Sequence, residues 1–384
     1  MILLAALAVV LPTAIAAQEK SAAEIYAESQ AYWDGNDSVY MNRERAMELC
    51  RQAAEMGYAD AQYTMGYSYY NGDGVAKDIN MAIYWYGMAA DQGHVGAMSD
   101  MAYCYIERDN EEKAIEWWQK AVEGGDDIAQ YNLGVYYEGK DDAQSVHWYR
   151  KAAEQGYAKA QMKLADHYID IEKDKEQAAY WALKAAEGGD ADAQFLLAAN
   201  YEVGGVDDQL GFEEDDEKAV YWYRKAAENG DVYAQEILGY YYFYGRRGLT
   251  ADFKQAAYWF KEAAAQGSRY ARYHMGMMYL TGSCGLVKDH AKAMQMLQKS
   301  AEQGMAEAQA ALAAEYSKAE QYEEAFYWNT KAAEQGYAKA QCLLGFQYSL
   351  GYGVKSNKKK ARYWMQKAAA QGDESAIEWL HKFD

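Results

Sequence analysis

A phrase close to K-A-A-E-Q-G returns along the whole chain, and its closing glycine falls at Gly57, Gly93, Gly125, Gly156, Gly189, Gly230, Gly267, Gly304, Gly336 and Gly372. Successive intervals are 36, 32, 31, 33, 41, 37, 37, 32 and 36 residues. A period in this range belongs to helix-pair repeats, in which one unit cannot bury its apolar face alone and the next unit covers it. The period predicts ten units between about Ser21 and Gly372, with residues 373–384 closing the array as a C-terminal capping helix. Pro is almost absent, with only Pro12, so helix can follow helix without a break.

Each unit reads as two helices. The first is patterned like Ala59-Asp60-Ala61-Gln62-Tyr63-Thr64-Met65-Gly66-Tyr67. Small residues recur at Ala61, Ala129, Ala160, Ala193, Ala234, Ala308 and Ala340, and again at Gly66, Gly134, Gly239, Gly276 and Gly345. A glycine inside a helix costs about 1 kcal/mol against alanine, so its return at one position implies a steric need. The second helix carries A-x-x-W-Y, as in Ala82-Ile83-Tyr84-Trp85-Tyr86. Trp85, Trp117, Trp148, Trp181, Trp222, Trp259, Trp328 and Trp364 each stand eight residues before their unit's glycine and are expected in the core. The repeated glycine itself ends one helix just before another and suits a left-handed cap. Loops such as Gly72–Asp78, Gly245–Asp252, Gly282–Asp289 and Gly351–Asn357 close on an Asp or Asn placed to N-cap the second helix.

These phrases, A-x-A-Q-x-x-L-G-x-x-Y, then G-x-G-V, then K-A-x-x-W-Y-x-K-A-A-E-Q-G, resemble the Sel-one-like repeats, relatives of the tetratricopeptide repeat. The match is almost intact at 57–93 and 336–372 and partial at 125–156. The resemblance implies an all-α, right-handed α-solenoid over residues 17–372 that acts as a protein-interaction scaffold, in bacteria often within the cell envelope. The units ending at Gly125, Gly156, Gly189 and Gly336 lack the double-glycine loop and look more like tetratricopeptide units. Some relatives carry a disulfide in every repeat. Here Cys50, Cys104, Cys284 and Cys342 do not recur with the period and read as unpaired thiols.

The opening residues MILLAALAVVLPTAIAAQEK read as an export signal. Its apolar run is short for a membrane span and ends in Ala14-Ile15-Ala16, an A-x-A cleavage pattern. Residues 1–16 are thus expected to be removed, leaving a periplasmic or secreted protein with no stable membrane insertion. The formal charge of −20 and pI near 4.8 disfavour nucleic acid and favour a basic protein partner. Lys355, Lys358, Lys359, Lys360 and Arg362 form a local basic exception, read as a solvated helix start.

No catalytic constellation is present: His94, His147, His167, His274, His290 and His381 are scattered over different units, without H-E-x-x-H, G-x-S-x-G or a phosphate loop. No cofactor, metal site or enzymatic activity is expected. An insertion lengthens one unit to 41 residues, with Glu202, Asp207, Asp208, Glu213, Glu214, Asp215, Asp216 and Glu217 and no base between them. It reads as a solvated loop, with a partner contact or a cation site as the alternatives. The candidate binding surface is the first-helix face, which lines the concave side in solenoids of this kind. Positions six and ten after each repeat glycine share a helical face. They carry Tyr63, Tyr67, Tyr103, Tyr131, Phe195, Tyr240, Tyr273, Met277 and Phe346, either as partner-binding rings or as packing. The leading expectation is an exported scaffold or regulator of another envelope protein. An immunity protein or inhibitor that neutralises a secreted toxin or lytic enzyme is the alternative, and a hydrolase is the remote third.

Overall fold

The structure, a computed structural model, describes residues 20–34, 42–204 and 210–383. The expected export signal, residues 1–16, lies outside them. The described residues form α-helices with no β-strand. The chain divides into two compact bodies, one ending at Ala160 and the other beginning at Gln161. The repeat period gives no sign of that division.

The first body holds α1 (Ala22–Asp34), α2 (Arg43–Glu55), α3 (Ala59–Asn71), α4 (Ile79–Ala90), α5 (Val95–Ile106), α6 (Glu111–Glu123), α7 (Asp127–Tyr137) and α8 (Asp142–Glu154). The boundary falls inside α9 (Ala158–His167), which runs into a π-turn over Tyr168–Glu172. The second body continues with α10 (Lys175–Glu187), α11 (Ala191–Val203), α12 (Asp216–Glu228), α13 (Val232–Tyr244) and α14 (Phe253–Ala265). It ends with α15 (Arg269–Thr281), α16 (His290–Glu302), α17 (Ala306–Lys318), α18 (Tyr322–Glu334), α19 (Ala338–Leu350), α20 (Lys358–Ala369) and α21 (Glu374–Phe383). Odd-numbered helices up to α19 are the first helices of the ten units, even-numbered ones the second, and α21 is the expected closing helix.

Helix ends follow the sequence signals. Asp78, Asp252, Asp289 and Asn357 accept backbone N–H bonds from the first turns of α4, α14, α16 and α20. At Gly57 the chain turns with φ +91, and Tyr58 N–H reaches back to the Ala53 carbonyl at 3.1 Å, a Schellman closure. A side chain on Gly57 would meet nothing within 4 Å, so the glycine serves conformation alone.

The glycines inside the first helices serve the opposite need. A Cβ on Gly66 or Gly134 would lie 2.5 Å from the ring of Tyr86 or Tyr149, and one on Gly239 would lie 2.7 Å from Phe260. Gly276 and Gly345 stand equally close to Leu297 and Met365. The side chain that meets the first helix is thus the residue seven before the repeat glycine, a ring in five of the ten units. Tyr86, Trp118, Tyr149, Tyr223 and Phe260 are buried at that position, with Phe260 fully so.

This corrects the expectation for the repeated tryptophans. Trp85, Trp181, Trp259 and Trp328 are buried, whereas Trp117, Trp148, Trp222 and Trp364 are only half-buried. In three of the latter the open face is covered by a lysine one turn on. Lys120 stands 3.9 Å over Trp117, Lys151 stands 4.8 Å over Trp148, and Lys367 stands 5.9 Å over Trp364.

Successive units are tied by a buried amide relay. In the first body Gln62, 1% exposed, donates to the Ala54 carbonyl at 3.1 Å and accepts from Gln92 of its own unit's end at 2.7 Å. Gln155 donates to Gln130 in the same way at 2.8 Å. In the second body Asn229 donates to Gln194, Gln266 to Gln235, Gln335 to Gln309 and Gln371 to Gln341, at 2.8–3.0 Å. The Q of A-x-A-Q and the Q of A-E-Q-G are partners, which explains why both recur.

The cysteines are all unpaired, with Cys50, Cys104 and Cys342 buried. Burial pushes the Cys50 thiol up to about 12, which leaves it inert as a nucleophile.

Adding a methyl at Gly134 should destabilise the protein by about 1–3 kcal/mol through overpacking, despite the propensity gain of about 1 kcal/mol. Gly125→Asn, at a left-handed cap, should change little. Phe260→Ala should cost about 3–5 kcal/mol and Trp222→Ala clearly less. Urea denaturation of the variants checks the order. Gly134→Ala unfolding at or above the parent midpoint would contradict the close approach.

Candidate functional site

In the first body the predicted surface residues lie on α3, α5 and α7. Tyr63 stacks on His94 at 4.6 Å and leans on Tyr86 at 5.8 Å. His94 accepts the Ala97 N–H at 3.0 Å through Nδ1, which turns Nε2 toward Asp60, 3.5 Å away. Asp100 of α5 accepts from Tyr86 Oη at 3.4 Å. Burial raises the Asp100 carboxyl above its ordinary value, against the lowering effect of the Tyr63 and Tyr86 phenols. Tyr103 meets Trp118 edge-on at 5.8 Å, and Tyr131 sits between Tyr149 and Tyr157 at 5.6 and 5.2 Å. Of these, Tyr67 alone is largely exposed, at 49%.

In the second body Phe195 packs on Tyr223 at 5.5 Å, and Tyr240 on Tyr244 at 4.6 Å. Tyr273 and Met277 pack beside the cluster of Leu297, Leu312 and Trp328, and Phe346 packs beside Met365. Next to Tyr273, His274 stacks flat on Phe260 at 4.7 Å. Glu236 on α13 has its carboxyl raised by burial. The predicted residues are thus half-buried except Tyr67. They pack within their own repeat or against the next one, as Tyr63 does on His94 and Tyr131 on Tyr157, and keep part of their surface open.

Sequence reasoning passed over a second set of rings. Tyr84, Tyr180, Tyr221, Tyr258, Tyr327 and Tyr363, each about half exposed, occupy the same position on second helices. Each meets the following tryptophan edge-on at 4.9–5.1 Å. The signal was the tyrosine written directly before the repeated Trp.

The described ends of the acidic insertion are tied to the fold. Glu202 accepts from Tyr223 Oη at 2.7 Å and from Tyr241 Oη, and Arg247 Nη2 lies 3.3 Å away. Arg247 Nη1 also bonds Glu214 and Asp216, each at 2.9 Å, while Asp215 caps α12. Leu210 is 2% exposed, and Phe212 stacks on Tyr201 at 4.4 Å. Asp207 and Asp208 lie outside the described residues. No cluster of three or more His, Cys, Asp or Glu suited to a metal occurs among the described residues. Nor is any helix among them long and apolar enough to cross a membrane. The basic cluster sits at the exposed start of α20, where Asn357 caps the helix.

The Sel1 repeat model matches ten consecutive segments from residue 21 to residue 373. The chain belongs to the Sel1 repeat family. Repeats of this family mediate binding to other proteins. Among solved structures, the protective antigen c5321 of uropathogenic Escherichia coli, which displays this fold, is 32% identical with a TM-score of 0.62. The match covers 93% of this chain and 78% of that one. Among curated proteins, the chitin synthase regulator SKT5 of Saccharomyces cerevisiae is 32% identical over 131 residues, 32% of this chain and 19% of that protein. Chitin synthase regulatory factor 3 of Schizosaccharomyces pombe is 32% identical over 123 residues, 30% of this chain and 13% of that protein. The chain therefore spans under a fifth of the length of these two curated relatives.

Burial among aromatic rings lowers the His274 pKa from its ordinary 6.5 to about 4. The unfolded chain takes up this proton below about pH 6.5, while the folded protein resists it until about pH 4. The stability from this site is complete above pH 6.5 and is lost as pH falls toward 4. Between pH 7 and 4.5 the parent should lose on the order of 2 kcal/mol more than His274→Phe does. Parallel urea curves at the two pH values check this, and equal losses would refute it.

Proposed function

We propose that this chain is an exported binding protein of a bacterial cell envelope, which holds or regulates a basic protein partner on its first-helix face. The observation that carries the reading is the placing of half-open rings beside carboxylates on the first helices. Tyr63 and Tyr67 share a face of α3 with the exposed Asp60 in the first body, and Tyr240 and Tyr244 share a face of α13 with the half-buried Glu236 in the second. Rings of this kind supply apolar contact, and the acids favour a cationic partner surface. The family supports a binding role, and the regulatory role named for the fungal relatives supports regulation over catalysis. The A-x-A pattern at Ala14–Ala16 supports export.

The long-range and contact terms separate experimentally. Charge acts on encounter and is screened within about 8 Å at physiological salt, while buried anchors act on dissociation. With a partner captured from envelope extract, raising salt should slow association and leave dissociation nearly constant. Tyr67→Ala or Tyr244→Ala, both folded, should speed dissociation about tenfold or more if these rings are anchors. Unchanged dissociation in both variants would remove the first-helix face as the contact. A mature protein that keeps Met1 would remove export. A captured toxin or lytic enzyme, inactivated on binding, would turn the scaffold into an inhibitor.

A further inference from the structure

One groove on the second body gathers four departures from the repeat. It opens between α14, α15 and α16, with a volume of about 390 Å³. Two residues before the repeat glycine, eight of the ten units carry Asp or Glu, but here the chain has Ala265. Five residues after the glycine, where glutamine recurs, it has Arg272. Eight and nine residues before Gly304, where Trp and Tyr recur, it has Met296 and Gln295. All four line the groove, so an acid and two rings are gone from it and a cation is added. Lys261, Lys292 and Lys299 complete the rim, and no Asp or Glu lines it among the described residues. From the start of α14 to the end of α16 there are seven Lys or Arg against three Asp or Glu, in a chain of net charge −20.

The cations differ in how the fold engages them. Arg272 is fixed in place, with Nε donating to the Ala264 carbonyl at 3.3 Å and Nη1 to Gln303 Oε1 at 3.0 Å. Lys292 lies 3.6 Å from Asp289, which caps the same helix, and 5.6 Å from the centre of the Tyr279 ring. Lys261 and Lys299 make no ion pair among the described residues. In several other units the lysine five before the repeat glycine lies over a ring of its own helix, as Lys120 does over Trp117, Lys151 over Trp148 and Lys331 over Tyr327. Lys299 holds that place in the eighth unit, and Gln295 and Met296 leave it no such ring. Between the cations the wall is apolar, from Ala264, the buried Met275 and the half-buried Met296.

We propose that this groove takes an acidic segment of another protein, one in which two carboxylates flank an apolar side chain. Lys292 and Lys299 stand two helical turns apart, about 10 Å along α16, with Met296 between them on the same face. A single phosphate or carboxylate cannot meet both. Two acidic side chains of one segment can, and the apolar side chain between them enters the space that a tryptophan takes in other units. A nucleic acid strand would answer the lysines but not the apolar wall, and the charge of the whole molecule repels it. Arg272, Met275 and Tyr279 lie on a different face of α15 from Tyr273 and Met277. The groove is therefore separate from the first-helix surface and offers a second contact of opposite sign.

The test uses the full chain and a capped, alanine-rich helical peptide with two Glu seven residues apart and one Leu four residues after the first. Fluorescence anisotropy of the labelled peptide follows binding at physiological salt, where distant charges are screened. The peptide should bind saturably at or below millimolar concentration. Its form with Gln for both Glu should bind about tenfold or more weakly, and its form with Ala for Leu more weakly than the parent peptide. Lys292→Glu with Lys299→Glu, both exposed, should fold and lose the peptide. Met296→Trp, which restores the residue of other units, should fold and exclude it. Lys331→Glu with Lys367→Glu makes the same charge change at exposed sites on α18 and α20 and should bind the peptide as the parent does. Absence of saturable binding, equal binding of the Gln peptide, or unchanged affinity in either folded groove variant would each overturn the proposal. An equal loss in the α18 and α20 variant would also overturn it, by tracing the effect to net charge. Displacement of the peptide by equimolar inorganic phosphate would make this a single-anion site, and tighter binding of an oligothymidylate would make it a nucleic-acid site; either result overturns the proposal. Tyr67→Ala should keep the peptide, which separates this contact from that of the first helices.

Discussion

How near two helices of one unit can come depends on the space opposite the residue seven before the repeat glycine, and the rest of the unit follows from that approach. Gly66 lies against Tyr86, Gly134 against Tyr149 and Gly239 against Phe260. Without a side chain on the first helix, the ring of the second sinks to its backbone. The approach also makes polar contact possible, because Ser145 Oγ reaches the Gly134 carbonyl at 2.8 Å. Where the facing residue is alanine, as at Ala102 beside Trp118 or Ala198 beside Tyr223, the pair still closes and both members are buried. Glycine's cost of about 1 kcal/mol in a helix is offset by burial of a whole ring.

Tight packing within a unit would not by itself fix how one unit follows another. That part falls to amides, which carry direction where apolar contact does not. Gln235 donates to the Ala227 carbonyl of the preceding second helix and accepts from Gln266, which also donates to the Gly230 carbonyl. A hinge carbonyl left bare by the left-handed turn is thus satisfied by the end of the next second helix. Each such bond is worth only about 1 kcal/mol, but breaking one leaves a buried acceptor unpaired, which costs more. One departure shows the same logic in other atoms. Where Arg272 replaces the first glutamine, its Nε takes the Ala264 carbonyl and its Nη1 bonds Gln303 Oε1 at 3.0 Å.

The repeat, the ten hinges, the capping Asp and Asn residues and the small-residue sites were all legible in the sequence, because each is a period written in residue types. What lay hidden depended on rotation about the helix axis. Trp222 and Tyr223 are neighbours in the chain, yet at 100° per residue one is half-buried and the other is buried, and the repeated letters W-Y do not say which. The same angle put Tyr221 outside, as an exposed ring that the interest in first helices passed over. Pairings across units were also beyond the text. Two glutamines about thirty residues apart recur with the period, but only the fold shows that one donates to the other. The spacing of Tyr63, Tyr103 and Tyr131 likewise could not say that each is half-buried against a neighbouring ring.

The preference for tyrosine, 38 against 8 phenylalanines, links the core to the acidity of the chain. At the position where Phe260 is fully buried, Tyr86, Tyr149 and Tyr223 extend a hydroxyl to the edge of the unit. There each finds a carboxylate: Asp100, Glu138 and Glu202 respectively. A phenol buried without an acceptor would be costly, and the acids remove that cost. Part of the −20 charge is therefore structural, held by phenols and, at Glu202, by Arg247. Such carboxylates are committed to the repeat, so the basic partner proposed above would meet mainly the outer acids, which are solvated and easily screened. Charge in the outer shell brings a partner near, and only contacts that exclude water can keep it there.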